Sequence, residues 1–239
     1  MQLEVCYSPA MFHKYENKES IIVVVDIFRA TSAIATAFDN GVEKIIPVGT
    51  LDEARKYKDK GYLIAAERNG IVLDFADFGN SPFNFMGKHL DGKTIVYSTT
   101  NGTQAIKTAS NCYKVAIGAF INHTAVCNWL EAQNRDVIIL CAGWKDRFNF
   151  EDAIYAGAMV ETLLKSGKFE TICDSALSSM DLWKLAKTDL MAYKEKFAHR
   201  HRMKRLKIDD VIEYCLTFDK NNVIPIYNNG YISDINSLK

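Results

Sequence analysis

The chain has 239 residues, enough to bury a sizeable core as one large α/β domain or as two intimate lobes. Its 29 acidic and 29 basic side chains balance, so no net field draws it to nucleic acid or to an anionic membrane. Six cysteines (Cys6, Cys112, Cys127, Cys141, Cys173 and Cys215) lie scattered without a CxxC pair, no apolar run approaches spanning length, and no signal-like stretch opens the chain. A soluble, cytoplasmic protein with reduced thiols is expected.

In chain order, Leu3 to Tyr7 reads as a first strand, stopped by Ser8-Pro9, and Ile22 to Val25 as a second. A helix over Ala30 to Phe38 puts Ala30, Ile34, Ala37 and Phe38 on one face and stops at Gly41. Lys44 to Val48 is a strand; the helix after Thr50 carries Asp52 and Glu53 early and Lys56, Lys58 and Lys60 late, the order a helix dipole favours. Strands at Tyr62 to Ala66, Thr94 to Tyr97, Val115 to Gly118 and Val137 to Leu140 alternate with helices at Asn101 to Ala109, Asn122 to Gln133 and Phe150 to Lys165. Ser178 to Leu206 reads as one increasingly basic helical stretch, and Val223 to Ile232 as a final strand or strand pair. This alternation predicts a three-layer α/β/α fold around a mostly parallel or mixed sheet.

Four of these strands break off abruptly into polar residues, and open α/β sheets collect ligands beyond such carboxyl ends. Asp26 follows four aliphatic residues, with Arg29 and Thr31 one turn on. A carboxylate there suits Mg²⁺ or a phosphoryl group, and a guanidinium suits phosphate or sulfonate; a helix cap with a structural ion pair is the alternative. Glu67-Arg68 is a second such pair, Phe78-Gly79-Asn80-Ser81-Pro82 is turn chemistry whose amide and hydroxyl (Asn80, Ser81) can meet an anion, and Glu151-Asp152 opens a helix. Thr99-Thr100-Asn101-Gly102-Thr103 is the strongest local signal: three hydroxyls, an amide and a glycine at a helix N-terminus, more than capping alone requires. Cys141 to Arg147 matches the Cys-x5-Arg spacing of cysteine phosphatases, although it has a single interior glycine and Phe148 after the arginine; a buried structural cysteine is the competing reading. The basic segment His199 to Lys207 reads as solvated surface, with RNA contact as the weaker option.

Taken together these blocks resemble the 2-phosphosulfolactate phosphatase family, Mg²⁺-dependent phosphatases of coenzyme M biosynthesis. The matching text is Val24 to Thr31, Ala66-Glu67-Arg68, Phe78 to Pro82, Thr99 to Thr103, Cys141 to Trp144, Glu151-Asp152-Ala153 and Tyr214 to Asp219, spanning nearly the whole chain. One departure is Asn69, where a second glycine commonly follows the Glu-Arg pair; it touches backbone geometry and removes no catalytic group. The resemblance implies hydrolysis of the phosphate monoester of a 2-hydroxy acid to sulfolactate and phosphate.

The expected arrangement holds Mg²⁺ between Asp26, Glu67 and one of Glu151 and Asp152. Arg29 and Arg68 grip the phosphoryl and the carboxylate or sulfonate, and Thr100 to Thr103 donate to equatorial oxygens. Either metal-bound water or Asp26 is the nucleophile. The rival readings are a non-catalytic sulfonate or phosphate binder, a phosphatase for another ester, and, more weakly, a nucleic-acid binder using Arg200, Arg202 and Arg205. A homo-oligomer is compatible with the chain, and no feature fixes its symmetry.

Overall fold

The computed structural model of the protein describes residues 1–15 and 17–237. β1 (Leu3–Cys6) leads through a 3-10 turn over Pro9–Lys14 into β2 (Ile21–Val25), whose five β-branched residues are all buried, as in a strand covered on both faces. α1 (Ala30–Asp39) follows and is capped by Asp26: its carboxylate accepts the Ala30 N–H at 3.4 Å and its carbonyl the Thr31 N–H at 3.0 Å. Gly41, at φ +88°, ends this helix in the left-handed conformation glycine allows. β3 (Lys44–Pro47) precedes α2 (Leu51–Lys58), which opens on a capping box between Thr50 and Glu53 and closes on Arg55, Lys56 and Lys58.

β4 (Leu63–Arg68) turns back into β5 (Ile71–Val72). Asn69 and Gly70 make that two-residue turn at φ +55° and +85°, the conformation for which Asn-Gly is the favoured pair. Asn69 in place of a glycine is therefore accommodated. Next come β6 (Thr94–Ser98), α3 (Gly102–Ala109), β7 (Lys114–Gly118), α4 (His123–Gln133), β8 (Val137–Cys141) and α5 (Phe150–Lys165).

The expected basic helix over Ser178 to Leu206 is broken into pieces. α6 (Asp174–Ala186) stops, Asp189 starts α7 (Leu190–Tyr193) by accepting the Ala192 N–H at 2.8 Å, and α8 (Ala198–Arg205) begins only after an extended Phe197. Phe197 is fully buried against Phe28, Phe150 and Tyr193, and that burial outweighs continuation of the helix. α9 (Ile212–Cys215) then leads to the antiparallel hairpin of β9 (Pro225–Asn228) and β10 (Tyr231–Asp234).

The strands form one ten-stranded sheet in the order β1-β8-β2-β7-β9-β10-β3-β6-β4-β5. Two parallel sets, β1-β8-β2-β7 and β3-β6-β4, are joined by the hairpin, which pairs antiparallel with β7 on one side and with β3 on the other. The sets therefore run in opposite directions. Five strand-to-strand steps separate β2 from β6. At about 20–25° of twist per step they turn one set toward the other, and their carboxyl ends meet. α5 packs on α4, α6, β2 and β8, while α1 and α3 pack together and against β2, β3, β7 and β9, giving the three-layer α/β/α architecture. Among the described residues no helix is long and apolar enough to cross a membrane.

Candidate active site

Asp26, at the end of β2, faces the meeting point of the two strand sets. Thr31 holds its backbone from both sides, accepting the Asp26 N–H at 3.1 Å and donating to the Asp26 carbonyl at 3.0 Å, so the Thr31 hydroxyl is spent on fixing Asp26. The Asp26 Oδ2 atom is approached by Gly102 at the start of α3: a Cβ there would lie 2.9 Å from it and 2.5 Å from the Ala30 Cβ. Only glycine lets α3 come this close. Arg29 is 6% exposed and lines the cleft, yet its guanidinium makes no hydrogen bond and no ion pair among the described residues.

From the opposite set, β4 delivers Glu67, which is buried. Its Oε1 accepts the Thr100 N–H at 2.7 Å, and its Oε2 accepts the Gly70 N–H at 2.7 Å and the Thr100 hydroxyl at 3.2 Å. Arg68 does not pair with it. The guanidinium donates to the carbonyls of Glu67 and Ser98 at 2.7 and 3.2 Å and to the Ser98 hydroxyl at 2.9 Å, tying the ends of β4 and β6 together.

The hydroxyl cluster is likewise used internally. Thr99 and Thr103 bond reciprocally at 3.1–3.3 Å, and the Thr100 hydroxyl also accepts the Asn69 N–H at 3.0 Å. Of this segment Asn101 lines the cleft, and its side-chain Oδ1 accepts the Lys145 N–H at 3.2 Å. Asn80 also lines it and keeps a buried Oδ1 without a partner, whereas Ser81 stands outside it at the start of a short 3-10 turn.

The two acids that open α5 divide the work. Asp152 is fully buried; it accepts the Ile27 N–H at 2.9 Å, the Gly143 N–H at 3.1 Å and the Asn149 amide at 3.0 Å, and so fixes the loops after β2 and β8. Glu151 meets His199 Nδ1 at 3.0 Å through Oε1, and its Oε2 is buried with no partner.

His199 comes from the basic segment expected at the surface. One face of α8 and the residues after it (His199, Arg202, Met203, Leu206, Ile208) forms a wall of the cleft. The positions 199, 202, 203 and 206 are the i, i+3, i+4, i+7 signature that marks such a face. Arg202 lies 4.1 Å over the Trp144 ring with a buried, unpartnered Nε, and Arg200 pairs with Glu195 at 2.8 Å. Trp144, Phe28, Asn69 and Gly70 complete the lining. The cleft encloses about 410 Å³ when counted out to the open solvent at its mouth.

Cys141 lies beneath this site rather than in it. It is 1% exposed, and burial pushes its thiol well above the usual range, against formation of a thiolate. The following residues close a tight turn, with Trp144 and Arg147 exchanging backbone hydrogen bonds at 2.9 and 3.1 Å, and form no phosphate-cradling loop. Cys141 is a structural cysteine.

The acids are electrostatically crowded. Burial pushes the Asp26 carboxyl up to about 6, with His199 opposing the rise and Glu67 and Glu151 adding to it. Asp152 is raised further, by burial and then by Asp26 and Glu151. A cation would relieve this repulsion and engage the orphaned Glu151 oxygen. Among the described residues no three His, Cys, Asp or Glu side chains are grouped as a complete metal shell. The donors fit an ion such as Mg²⁺, which takes one or two carboxylates and leaves its other positions to water and phosphate.

The family model described as 2-phosphosulpholactate phosphatase matches residues 6–230. The chain belongs to the 2-phosphosulfolactate phosphatase family. A protein of Caldanaerobacter subterraneus named as a probable 2-phosphosulfolactate phosphatase is 35% identical over 219 residues, 90% of each chain. One from Clostridium beijerinckii with the same name is 30% identical over 98% of this chain and 99% of its own. Another, from Thermotoga petrophila, is 36% identical over 87% of this chain and 89% of its own. The family's members are phosphoric monoester hydrolases, and the matched span includes every residue of the cleft.

Proposed function

We propose that this protein is a cytoplasmic, Mg²⁺-dependent phosphatase that hydrolyses 2-phosphosulfolactate to sulfolactate and phosphate, a step of coenzyme M biosynthesis. The observation that carries the reading is Arg29: its largely buried guanidinium, without a hydrogen-bond or ion-pair partner among the described residues, lines a small cleft together with Asp26 and Glu67. Leaving such a charge unpaired costs stability, and an anionic ligand supplies the missing hydrogen bonds. Asp26 and Glu151 are the carboxylates with oxygens free to hold Mg²⁺, and Glu67 adds negative charge beside them while it fixes the Thr100 loop. The bound ion would offset phosphoryl charge.

In this scheme Arg29 grips the phosphoryl group, and Asn80 and Asn101 offer amides to its oxygens. Thr31, Thr99, Thr100, Thr103, Arg68 and Asp152 act one step back, holding Asp26, the Thr100 loop and the two strand ends in register. Whether water or Asp26 attacks phosphorus, the attacking oxygen lies at the end of β2. The test is phosphate release from 2-phosphosulfolactate and 2-phospholactate with Mg²⁺ and again with excess EDTA. Release that EDTA stops and Mg²⁺ restores is the expected result; release unchanged by EDTA would remove the metal from the scheme, and no release from either ester would overturn the activity.

A further inference from the structure

A second cavity opens beside the first, lined by Trp144, Arg147, Phe150, Glu151, Lys196 and Arg202 among others. Trp144, Glu151 and Arg202 stand at the boundary: Trp144 and Arg202 line both spaces, and Glu151 reaches back to His199 in the first. Arg202 is the one guanidinium at that boundary. Its Nε is buried without a hydrogen-bond partner, no acid pairs with it among the described residues, and the Trp144 ring fixes its plane from one side at 4.1 Å. Burial lowers its pKa, as for a charge held away from water, while the nearby Glu151 carboxylate, too distant for an ion pair, opposes the shift. A stacked, weakly hydrated guanidinium with donors to spare is a pre-built receptor for a polyoxyanion. Arg147 and Lys196 add positive charge beyond it.

We propose that Arg202, not Arg68, holds the remote anionic arm of the substrate, the sulfonate, at the mouth of this second cavity. The inference rests on the activity proposed above. Arg68 has donors committed to Glu67 and Ser98, and Arg29 faces the acids where phosphorus must react. The sulfonate is the arm set one methylene farther from the ester carbon than the carboxylate, so it reaches the boundary while phosphorus stays at Asp26. Arg202 is therefore a specificity-determining residue: it senses the sulfonate and leaves the reacting atoms to others.

The experiment is calorimetric titration of the full chain with 3-sulfolactate and with lactate, in the wild type, Arg202→Gln and Arg202→Lys, each checked for folding by its thermal transition. Hydrogen bonds to a charged group predict a wild-type preference for sulfolactate of about 10- to 100-fold. Arg202→Gln should erase that preference without changing lactate binding, and Arg202→Lys should restore only part of it. A preference that survives in Arg202→Gln, or a wild type that does not distinguish the two acids, overturns the assignment. If Arg202→Gln does not fold, full preference in Arg202→Lys would do the same. Phosphate release is read separately: a wild type that prefers sulfolactate yet releases no phosphate from 2-phosphosulfolactate overturns the activity alone and leaves the subsite standing.

Discussion

Arg29→Met separates binding from folding at this site. The substitution roughly conserves volume, removes a buried charge and takes away no hydrogen bond or ion pair that this side chain makes among the described residues. Stability should therefore stay within about 1 kcal/mol of the wild type, or rise. Activity should collapse. Two parallel charge-assisted hydrogen bonds at roughly 1.5–3 kcal/mol each correspond to a loss in kcat/KM on the order of 10²- to 10⁴-fold. Urea unfolding with and without inorganic phosphate reads both halves of the argument. Phosphate at a hundred times its Kd should stabilise the wild type by about 2.7 kcal/mol and the variant not at all. A variant that keeps kcat/KM within a few-fold, or that loses more than about 2 kcal/mol of stability, would show Arg29 to be a structural ion.

Gly102→Ala drives a methyl group against Ala30 and Asp26, and should cost about 1–3 kcal/mol in a thermal melt and at least about tenfold in kcat; a variant wild-type in both would mean that α3 does not need its close approach. Burial lowers the His123 imidazole to about 4, so between about pH 6.5 and 4 the unfolded chain binds a proton that the native protein refuses. Stability should therefore fall as pH drops through that window, by roughly 3 kcal/mol at its lower end, and urea midpoints of His123→Gln should lack that component of the slope. Cys141→Ser should fold and keep kcat within about twofold, and the wild type should resist iodoacetamide; inactivation of the folded variant would bring back a thiol nucleophile.

What the sequence disclosed follows from the range of each interaction. Buried parallel strands such as Ile21–Val25 declare themselves through β-branched runs, and the Thr50–Glu53 capping box through spacing. The meeting of Asp26 and Glu67 is legible because each stands at the carboxyl end of an apolar run, Asp26 just past β2 and Glu67 in the last residues of β4. Three features are not. Hydroxyls in Thr99 to Thr103 look alike whether they face a ligand or one another: Thr99 and Thr103 consume each other, and the partners of the Thr100 hydroxyl lie 31 and 33 residues away at Asn69 and Glu67. Arg68 sits next to Glu67 in sequence, but strand alternation sends neighbouring side chains to opposite faces. The cleft face of α8 carried its period in plain view, but the density of positive charge read as solvation until tertiary packing showed what covers it.

Among the described residues the hairpin of β9 and β10 carries the strand-to-strand hydrogen bonding between the two parallel sets, and it is made from residues 225–234. A ribosome delivers those residues after both sets have been synthesised. The two halves of the sheet can gather local structure as they emerge, but the seam that brings the carboxyl end of β2 to those of β4 and β6 waits for the last strands. Catalytic competence thus waits for residues 225–234. A nascent chain stalled short of residue 225 would expose two unpaired strand edges, at β7 and at β3, and is the species a chaperone would have the most reason to hold.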